Sequence, residues 1–327
     1  MDYKIAGVDI KAGERTVDLI KPLIRKTHRP EVLSDIGLFG GFFDAKFPNY
    51  RHPVLVASTD GVGTKLKVAF AMNKHNTVGH CLVNHCVNDI LTSGARPLFF
   101  LDYFATGKLN PEVAASVIEG FVNGCIENGC SLIGGETAEM PSIYSEGEYD
   151  LSGTIVGIVD KEKIIDGSKI QSGDQMIGIP SNGLHTNGYS LARKVLSSKF
   201  SYDTYIEELQ NTIGDELLKI HRSYLKIVEP LLDLDLVSGI SHITGGGIVG
   251  NTKRIIRGNL QMKIDWNSWS RPFIFRLIQE TGKIEEEEMR YVFNLGIGLI
   301  LIINKKNVDQ ALKFLQNHNP ILMGEIV

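Results

Sequence analysis

A two-domain α+β fold is predicted for this chain, on three observations. Its 327 residues suffice for two buried cores. Apolar strand-like runs and helix-periodic runs alternate without a strict βαβ repeat, which disfavours a doubly wound sheet. Composition also shifts at 160–174, DKEKIIDGSKIQSGD, a polar and turn-rich stretch suited to a boundary. The domains are accordingly placed at 1–165 and 170–327.

Residues 3–13 carry glycine and polar side chains and read as loosely structured. A helix is expected over 16–26, where Val17, Leu19, Ile20, Leu23 and Ile24 recur at helical spacing. GLFGGFF at 37–43 reads as a tight turn or mobile flap whose phenylalanines need a surface to pack on. The apolar run 54–57 reads as a strand presenting Asp60 at its C-terminal end. Helix is expected over 78–92 and again over 111–128, where Pro111 suits a first turn. Strands are expected at 97–103, at 130–133 before a GGET turn, and at 152–159. Past the boundary, 175–179 reads as a strand. SNGLHTNGYSLARKVL begins as a glycine-rich loop and becomes helix by about Ser190. Helix is expected over 216–232 and 307–316, and late strands at 291–293 and 297–303. HITGGGIVGN at 242–251 reads as a second glycine-rich loop entering a helix. Trp266 and Trp269 read as packing residues, and the glutamates at 285–288 as a solvated helix start or loop.

The formal charge is −4, from 34 basic and 38 acidic residues. Neither a polybasic face nor an acidic tail is present, so no nucleic-acid partner is expected. The apolar run 295–303 is too short to span a bilayer and contains Gly296 and Gly298. The N-terminal residues lack a signal-peptide core, so a cytoplasmic protein with no membrane partner is expected. The four cysteines fall in two pairs, Cys81 with Cys86 and Cys125 with Cys130, and His80 and His85 precede the first pair. On a helix that spacing points the two thiols to different sides. Small buried thiols are expected rather than a zinc site.

Three acidic segments carry the chemistry: STDGVGTKL at 58–66, VNDI at 87–90 and GGETAEMP at 134–141. Each sets a carboxylate beside small residues: Asp60 before Gly61, Asp89 after Asn88, Glu136 after Gly135. Singly, each acid reads as a cap or turn residue. Three in comparable settings suit a ligand that needs both close backbone and a hard cation, such as a nucleoside triphosphate with Mg²⁺. No GxxxxGK[ST] loop is present, so the phosphates are not held by that cradle. Lys65, after Gly63 and Thr64, is placed to meet phosphate as a point charge or to be a solvated lysine. His185, between Gly183 and Gly188, is suited to donating to phosphate or moving a proton, or is a satisfied surface histidine. Gly245, Gly246 and Gly247 precede a helix and offer backbone N–H groups to an anion, unless they form only a flexible turn. Asn88, Asp102 and Glu139 are further candidates.

In this order, AGVDI, STDGVGTKL, VNDI, PLFFLDYFATGKL, GGETAEMP, GLHTNGYSLAR and HITGGGIVGN resemble the phosphoribosylformylglycinamidine cyclo-ligase (aminoimidazole ribonucleotide synthetase) family. The chain departs from the family pattern in its GLFGGFF flap, in Thr186 where serine is usual, in the NHC before VNDI, and in Ser142 where glycine is common. The resemblance implies an ATP-dependent ring closure of formylglycinamidine ribonucleotide to aminoimidazole ribonucleotide, ADP and phosphate. It implies Asp60, Asp89 and His185 as catalytic, and Asp60, Asp89 and Glu136 as the Mg²⁺ and phosphate acids. Gly63, Thr64, Lys65, Asn88, Asp102, Gly135, Glu136, Asn187, Gly245, Gly246 and Gly247 would bind ATP or substrate. It further implies a homodimer joined through the N-terminal sheet, a C-terminal α/β sandwich, and an ATP cleft between the domains. Strands 54–57, 98–101 and 152–159 agree with the dimer, since several lack polar alternation and helices within 1–160 look too few to cover both faces. The other readings are a kinase of the same ATP-using superfamily, acting on selenide or thiamine monophosphate, and a non-catalytic nucleotide-binding relative. The first cysteine, Cys81, stands far from the N-terminal loop where a selenide kinase would carry one. The three acids argue against the non-catalytic relative.

Overall fold

The computed structural model describes residues 7–327, so the first part of the 3–13 stretch lies outside the described residues. The chain divides into two compact units. The first runs to Ile90 and resumes over Arg96–Ile158; the second takes Leu91–Ala95 and Val159–Val327.

In the first unit, helix α1 (Ile10–Ile24) starts six residues earlier than its apolar spacing suggests. Asp9 caps it, with Oδ1 accepting from Lys11 N at 3.1 Å and Ala12 N at 3.4 Å, which satisfies N–H groups a helix start leaves open. Its buried positions are Thr16, Ile20 and Ile24. Strand β1 (Pro53–Gly61) leads through a short turn into α2 (Leu66–Met72) and α3 (Asn76–Leu91). Strand β2 (Arg96–Thr106), helix α4 (Pro111–Asn128) and strands β3 (Ser131–Glu139) and β4 (Tyr149–Asp160) complete the unit. The sheet order is β1-β4-β2-β3, with β2 parallel to β3 and antiparallel to β4.

Two expectations change here. GGET is not a turn but part of β3, which stays paired with β2 through Thr106↔Glu139. The strands do alternate: β1 is exposed and half-buried in turn, and in β4 Leu151, Gly153 and Ile155 are buried between half-buried Ser152, Thr154 and Val156. One face therefore packs on the unit's own helices, with Phe100 of β2 on Phe121 of α4 at a ring separation of 5.7 Å. The other face carries Leu55, Phe99, Leu101 and Val156, with Leu55 61% exposed.

The layer of α3 and α4 depends on glycines where the two backbones cross. A Cβ on Gly79 would lie 2.4 Å from the Val117 carbonyl, and one on Gly120 would lie 2.4 Å from the Asn76 carbonyl. Contacts that short against backbone force the helices apart.

The second unit holds a five-stranded antiparallel sheet ordered β8-β10-β5-β11-β9. In chain order its elements are β5 (Gln175–Pro180), α5 (Tyr189–Leu196), the short pair β6 (Tyr205–Ile206) and β7 (Asn211–Thr212), α6 (Ile213–Leu217), α7 (Leu225–Asp233), β8 (Val237–His242) and α8 (Gly247–Thr252). Then follow β9 (Met262–Ile264), α9 (Phe273–Gly282), α10 (Glu286–Val292), β10 (Ile297–Ile303), α11 (Val308–Leu315) and β11 (Ile321–Ile326). Every residue of β10 is buried, so the sheet is covered on both faces, as a sandwich requires. Ile300 and Ile302 enter a cluster with Met176, Ile243 and Met323.

The helix expected over 216–232 is broken. Residues 218–224 leave helical geometry because their polar groups bond elsewhere. Arg222 Nη1 and the Tyr224 hydroxyl donate to the Pro180 carbonyl at 2.9 and 3.1 Å, and Asn182 Nδ2 donates to the Ile220 carbonyl at 2.7 Å. Residues 291–293 are not a strand: α10 runs to Val292, with Glu286, Glu287 and Glu288 in its first turn and Arg290 in its last. That charge order favours a helix, and Arg290 Nε meets Glu286 Oε1 at 2.8 Å. Trp266 and Trp269 do pack together, at a ring separation of 5.7 Å.

Gly120→Ala is expected to destabilise the protein by about 1–3 kcal/mol, although alanine has the better helix propensity by about 1 kcal/mol. Urea unfolding measures it; a neutral or stabilising result would contradict the close crossing.

Candidate functional site

Asp60 lies within β1, not beyond its end, and Asp89 lies in the last turn of α3. His85, one turn before Asp89, joins them. Its Nε2 is 3.0 Å from Asp60 Oδ2 and 3.8 Å from Asp89 Oδ2, while Ser58 Oγ donates to Asp89 Oδ2 at 3.2 Å. Burial disfavours the charged His85 ring, but the hydrogen bond to Asp60 and the charges of Asp89 and Asp60 outweigh it and raise its pKa above the ordinary histidine value. The acids are partly open, with side chains 41% and 28% exposed. A pair of carboxylates converging beside a hydroxyl and partly facing solvent fits a hard divalent cation, which takes oxygen ligands and keeps some of its water. From the sequence His85 is weighed only with the cysteines; its i,i+4 spacing from Asp89 on a helix was the available signal for this pairing.

Glu136 does not join this pair. It is exposed on β3, the opposite edge strand from β1. Three strand spacings put roughly 14 Å between the two edges. Glu136 belongs instead to a second feature, a cavity of about 810 Å³ lined by α1, β2, β3 and the 35–41 segment. Val17, Ile20, Phe99 and Leu101 give it apolar walls, and Asp102 and Glu136 line it as acids. A volume of that order suits a nucleotide-sized ligand. The GLFGGFF segment forms part of its wall. Leu38 and Phe39 are exposed there, whereas Phe43 packs on Phe99 with ring centroids 5.2 Å apart. Gly41 allows the segment to rest on β3, because a Cβ there would fall 2.6 Å from the Ile133 carbonyl.

Asp102 is a strongly perturbed acid. Burial raises its pKa to about 7, against backbone hydrogen bonding and with help from the charge of Glu136. Gly135, opposite it on β3, makes room: a Cβ would lie 2.2 Å from Asp102 Oδ1.

The remaining candidates divide between the units. Gly63 and Thr64 are exposed in the turn after β1. Lys65 is neither a solvated lysine nor a charge presented at the surface; it is fully buried, and its Nζ donates to Cys81 Sγ at 3.2 Å. Asn88 is fully buried on α3. All four cysteines are free and buried, and among the described residues no metal-competent cluster includes one. In the second unit, His185 is not a surface histidine. It is 2% exposed, sits at φ +63° and stacks on His221 with ring centroids 4.0 Å apart. Asn187 lies beside the triple glycine, with Oδ1 3.4 Å from where a Gly245 Cβ would be. That loop has a fixed shape. Asn251 Nδ2 lies within hydrogen-bond distance of the Thr244, Gly245 and Gly247 carbonyls, at 3.2, 3.2 and 2.8 Å. No described helix is long and apolar enough to cross a membrane.

Residues 49–159 match the N-terminal domain of AIR synthase related proteins, and residues 171–327 match their C-terminal domain. The phosphoribosylformylglycinamidine cyclo-ligase of Syntrophotalea carbinolica is 54% identical over 330 residues, covering 100% of this chain and 94% of the relative. The chain belongs to the phosphoribosylformylglycinamidine cyclo-ligase family. Two solved structures share its fold at lower identity. Thiamine-monophosphate kinase from Stenotrophomonas maltophilia K279a superposes with a TM-score of 0.71 at 16% identity, over 96% of this chain and 93% of that one. The hydrogenase maturation protein HypE in complex with ATP gives 0.68 at 17% identity, over 96% and 86%. Membership of the cyclo-ligase family makes the chain a ligase.

The Asp102 shift has a testable sign. A carboxyl whose folded pKa is about 7, against about 3.9 unfolded, contributes stability below the unfolded value and loses it as pH rises through the folded one. Asp102→Asn, neutral at all pH, is therefore expected to be the more stable protein above pH 7, by about 1–3 kcal/mol after allowance for cavity solvent. It should show little or no advantage at pH 4. Thermal melts across that range check it; a constant difference at every pH would contradict the assignment.

Proposed function

We propose that this chain closes the imidazole ring of formylglycinamidine ribonucleotide, using ATP and releasing aminoimidazole ribonucleotide, ADP and phosphate. What carries the reading is the converging Asp60–Asp89 pair in a chain 54% identical over its whole length to a protein named for that activity. The chemistry asks for what such a site offers. The formyl amide oxygen is a poor leaving group. Transfer of the γ-phosphoryl group of ATP to that oxygen, with loss of ADP, makes it a good one. The amidine nitrogen then bonds to the same carbon, a proton leaves the nitrogen, and the C–O bond breaks to release phosphate. Phosphoryl transfer needs positioning and charge neutralisation more than a protein nucleophile.

Asp60 and Asp89 would hold Mg²⁺, which supplies charge neutralisation at the triphosphate. Buried His85 fixes both acids and keeps their positions when the cleft is empty of ligand. The cavity lined by the 35–41 segment suits the organic part of a nucleotide: its apolar walls pack a ring, and Asp102 and Glu136 accept from amino and hydroxyl groups while repelling bare phosphate. Asn187 and the triple-glycine loop serve the phosphoribosyl or nucleotide side. The sheet face bearing exposed Leu55 and half-buried Val156 supports a homodimer, because a second copy of the same face covers it through an isologous contact. Cytoplasmic work fits a chain that uses ATP.

The assay supplies protein, ATP, Mg²⁺ and formylglycinamidine ribonucleotide, and follows ADP with aminoimidazole ribonucleotide. Both products are expected in equal amounts. ADP formed with thiamine monophosphate instead would overturn the reading. Asp60→Asn and Asp89→Asn should each reduce turnover about 100-fold or more with the fold retained. Near-normal turnover in both would remove them from the site. Light scattering at micromolar concentration should give twice the chain mass; a single-chain mass in an active preparation would sink the dimer.

A further inference from the structure

Three histidines converge in the second unit, and the ring-closing chemistry uses them as a group in no step. His185 lies in the loop between β5 and α5, His221 in the non-helical segment between α6 and α7, and His242 at the end of β8. They are 2%, 0% and 5% exposed, and one ring nitrogen from each lies within 4.8 Å of the others. His221 Nε2 faces His242 Nε2 at 3.0 Å. The His221 Nδ1 is 3.3 Å from Thr186 Oγ1. The fold accommodates the rings at some expense. His185 adopts φ +63°, a region costing non-glycine residues about 1 kcal/mol or more. Gly298 clears the space beside it, since a Cβ there would lie 2.7 Å from His185 Cε1 and 1.9 Å from the Tyr224 hydroxyl.

We propose that His185, His221 and His242 form a binding site for a late first-row divalent metal of the zinc class, chemically unlike the carboxylate set proposed for Mg²⁺. An all-imidazole set selects zinc, cobalt, nickel or copper over magnesium and calcium. Tetrahedral zinc with Zn–N bonds of about 2.1 Å separates its ligand nitrogens by about 3.4 Å. The observed 3.0 Å between His221 and His242 needs to open by only a few tenths of an ångström. For both Nε2 lone pairs to face the metal, His221 must carry its proton on Nδ1, and the Thr186 hydroxyl is placed to accept it. Such an outer hydrogen bond fixes the tautomer of a metal-bound imidazole. Rotation of the His185 ring out of its stack on His221 supplies the third nitrogen. Three imidazoles leave the fourth position open to water or an anionic oxygen. The site draws on three separate segments, so an ion there ties the 185–187 loop to β8 and to the 218–224 segment.

The test uses the full-length protein, stripped with chelator and held in excess Mg²⁺ so that carboxylate sites are occupied. Cobalt(II) is titrated first, then zinc(II). One cobalt per chain is expected, with the strong visible d–d bands of a low-coordinate site, displaced by one zinc. The zinc-edge X-ray absorption should show three imidazole nitrogens at about 2.0 Å. His221→Gln and His242→Gln should each weaken zinc binding by at least about 100-fold, above the loss seen on removing an outer partner alone. Undiminished zinc binding in both histidine variants, no stoichiometric uptake by the wild type, or an edge spectrum of carboxylate oxygen or sulfur would each overturn the proposal. If the variants do not fold, the wild-type stoichiometry and edge spectrum decide it alone.

Discussion

The candidate metal–phosphate site rests on how closely α3 can approach α4. Gly79 and Gly120 let backbone meet backbone across that crossing, and the crossing fixes α3 beneath the sheet. α3 in turn carries His85 and Asp89 on successive turns, and His85 reaches Asp60 on the edge strand. The chain of constraint thus runs from two missing Cβ atoms to two carboxylates. A buried imidazole between two acids holds them near one another at a distance where, without it, their charges would repel.

Carboxylates in the first unit live in two environments, and the difference bears on their work. Asp60 and Asp89 are partly solvated and paired with a histidine, so their carboxylate oxygens are open to a cation. Asp102 is enclosed among apolar side chains near Glu136, which raises its pKa to about 7. A group titrating there can donate or accept a hydrogen bond to a ligand according to its protonation state. Glu139 plays a third, structural part: its carboxylate accepts from the Asp9 and Leu109 backbone N–H groups at 2.7 and 2.8 Å, tying the start of α1 to the chain before α4.

The second unit treats its glycine-rich loops differently from a mobile lid. Asn251 gathers three carbonyls of the triple-glycine loop. The buried histidines and the Tyr189 hydroxyl, 3.1 Å from the His185 carbonyl, hold the HTNG loop. Preformed loops lose less conformational freedom on binding a ligand.

The sequence by itself determined the two α+β units, the family, and most elements whose apolar period was long or whose ends were marked, such as α4 with Pro111 at its start and β10 with its aliphatic run around Gly298. It also marked Ser142, where the family favours glycine; the structure places that residue at φ +70°, a conformation glycine adopts without strain. Tertiary structure alone decided the rest. The 218–224 segment left its helix because Arg222 and Tyr224 found the Pro180 carbonyl. GGET stayed in a strand because it pairs with Leu101 to Phe104 of β2, where Gly135 leaves room for Asp102. Lys65 turned inward to Cys81, and Glu136 parted from Asp60 by the width of a sheet. Each outcome depends on partners distant in sequence, and local composition carries no term for them.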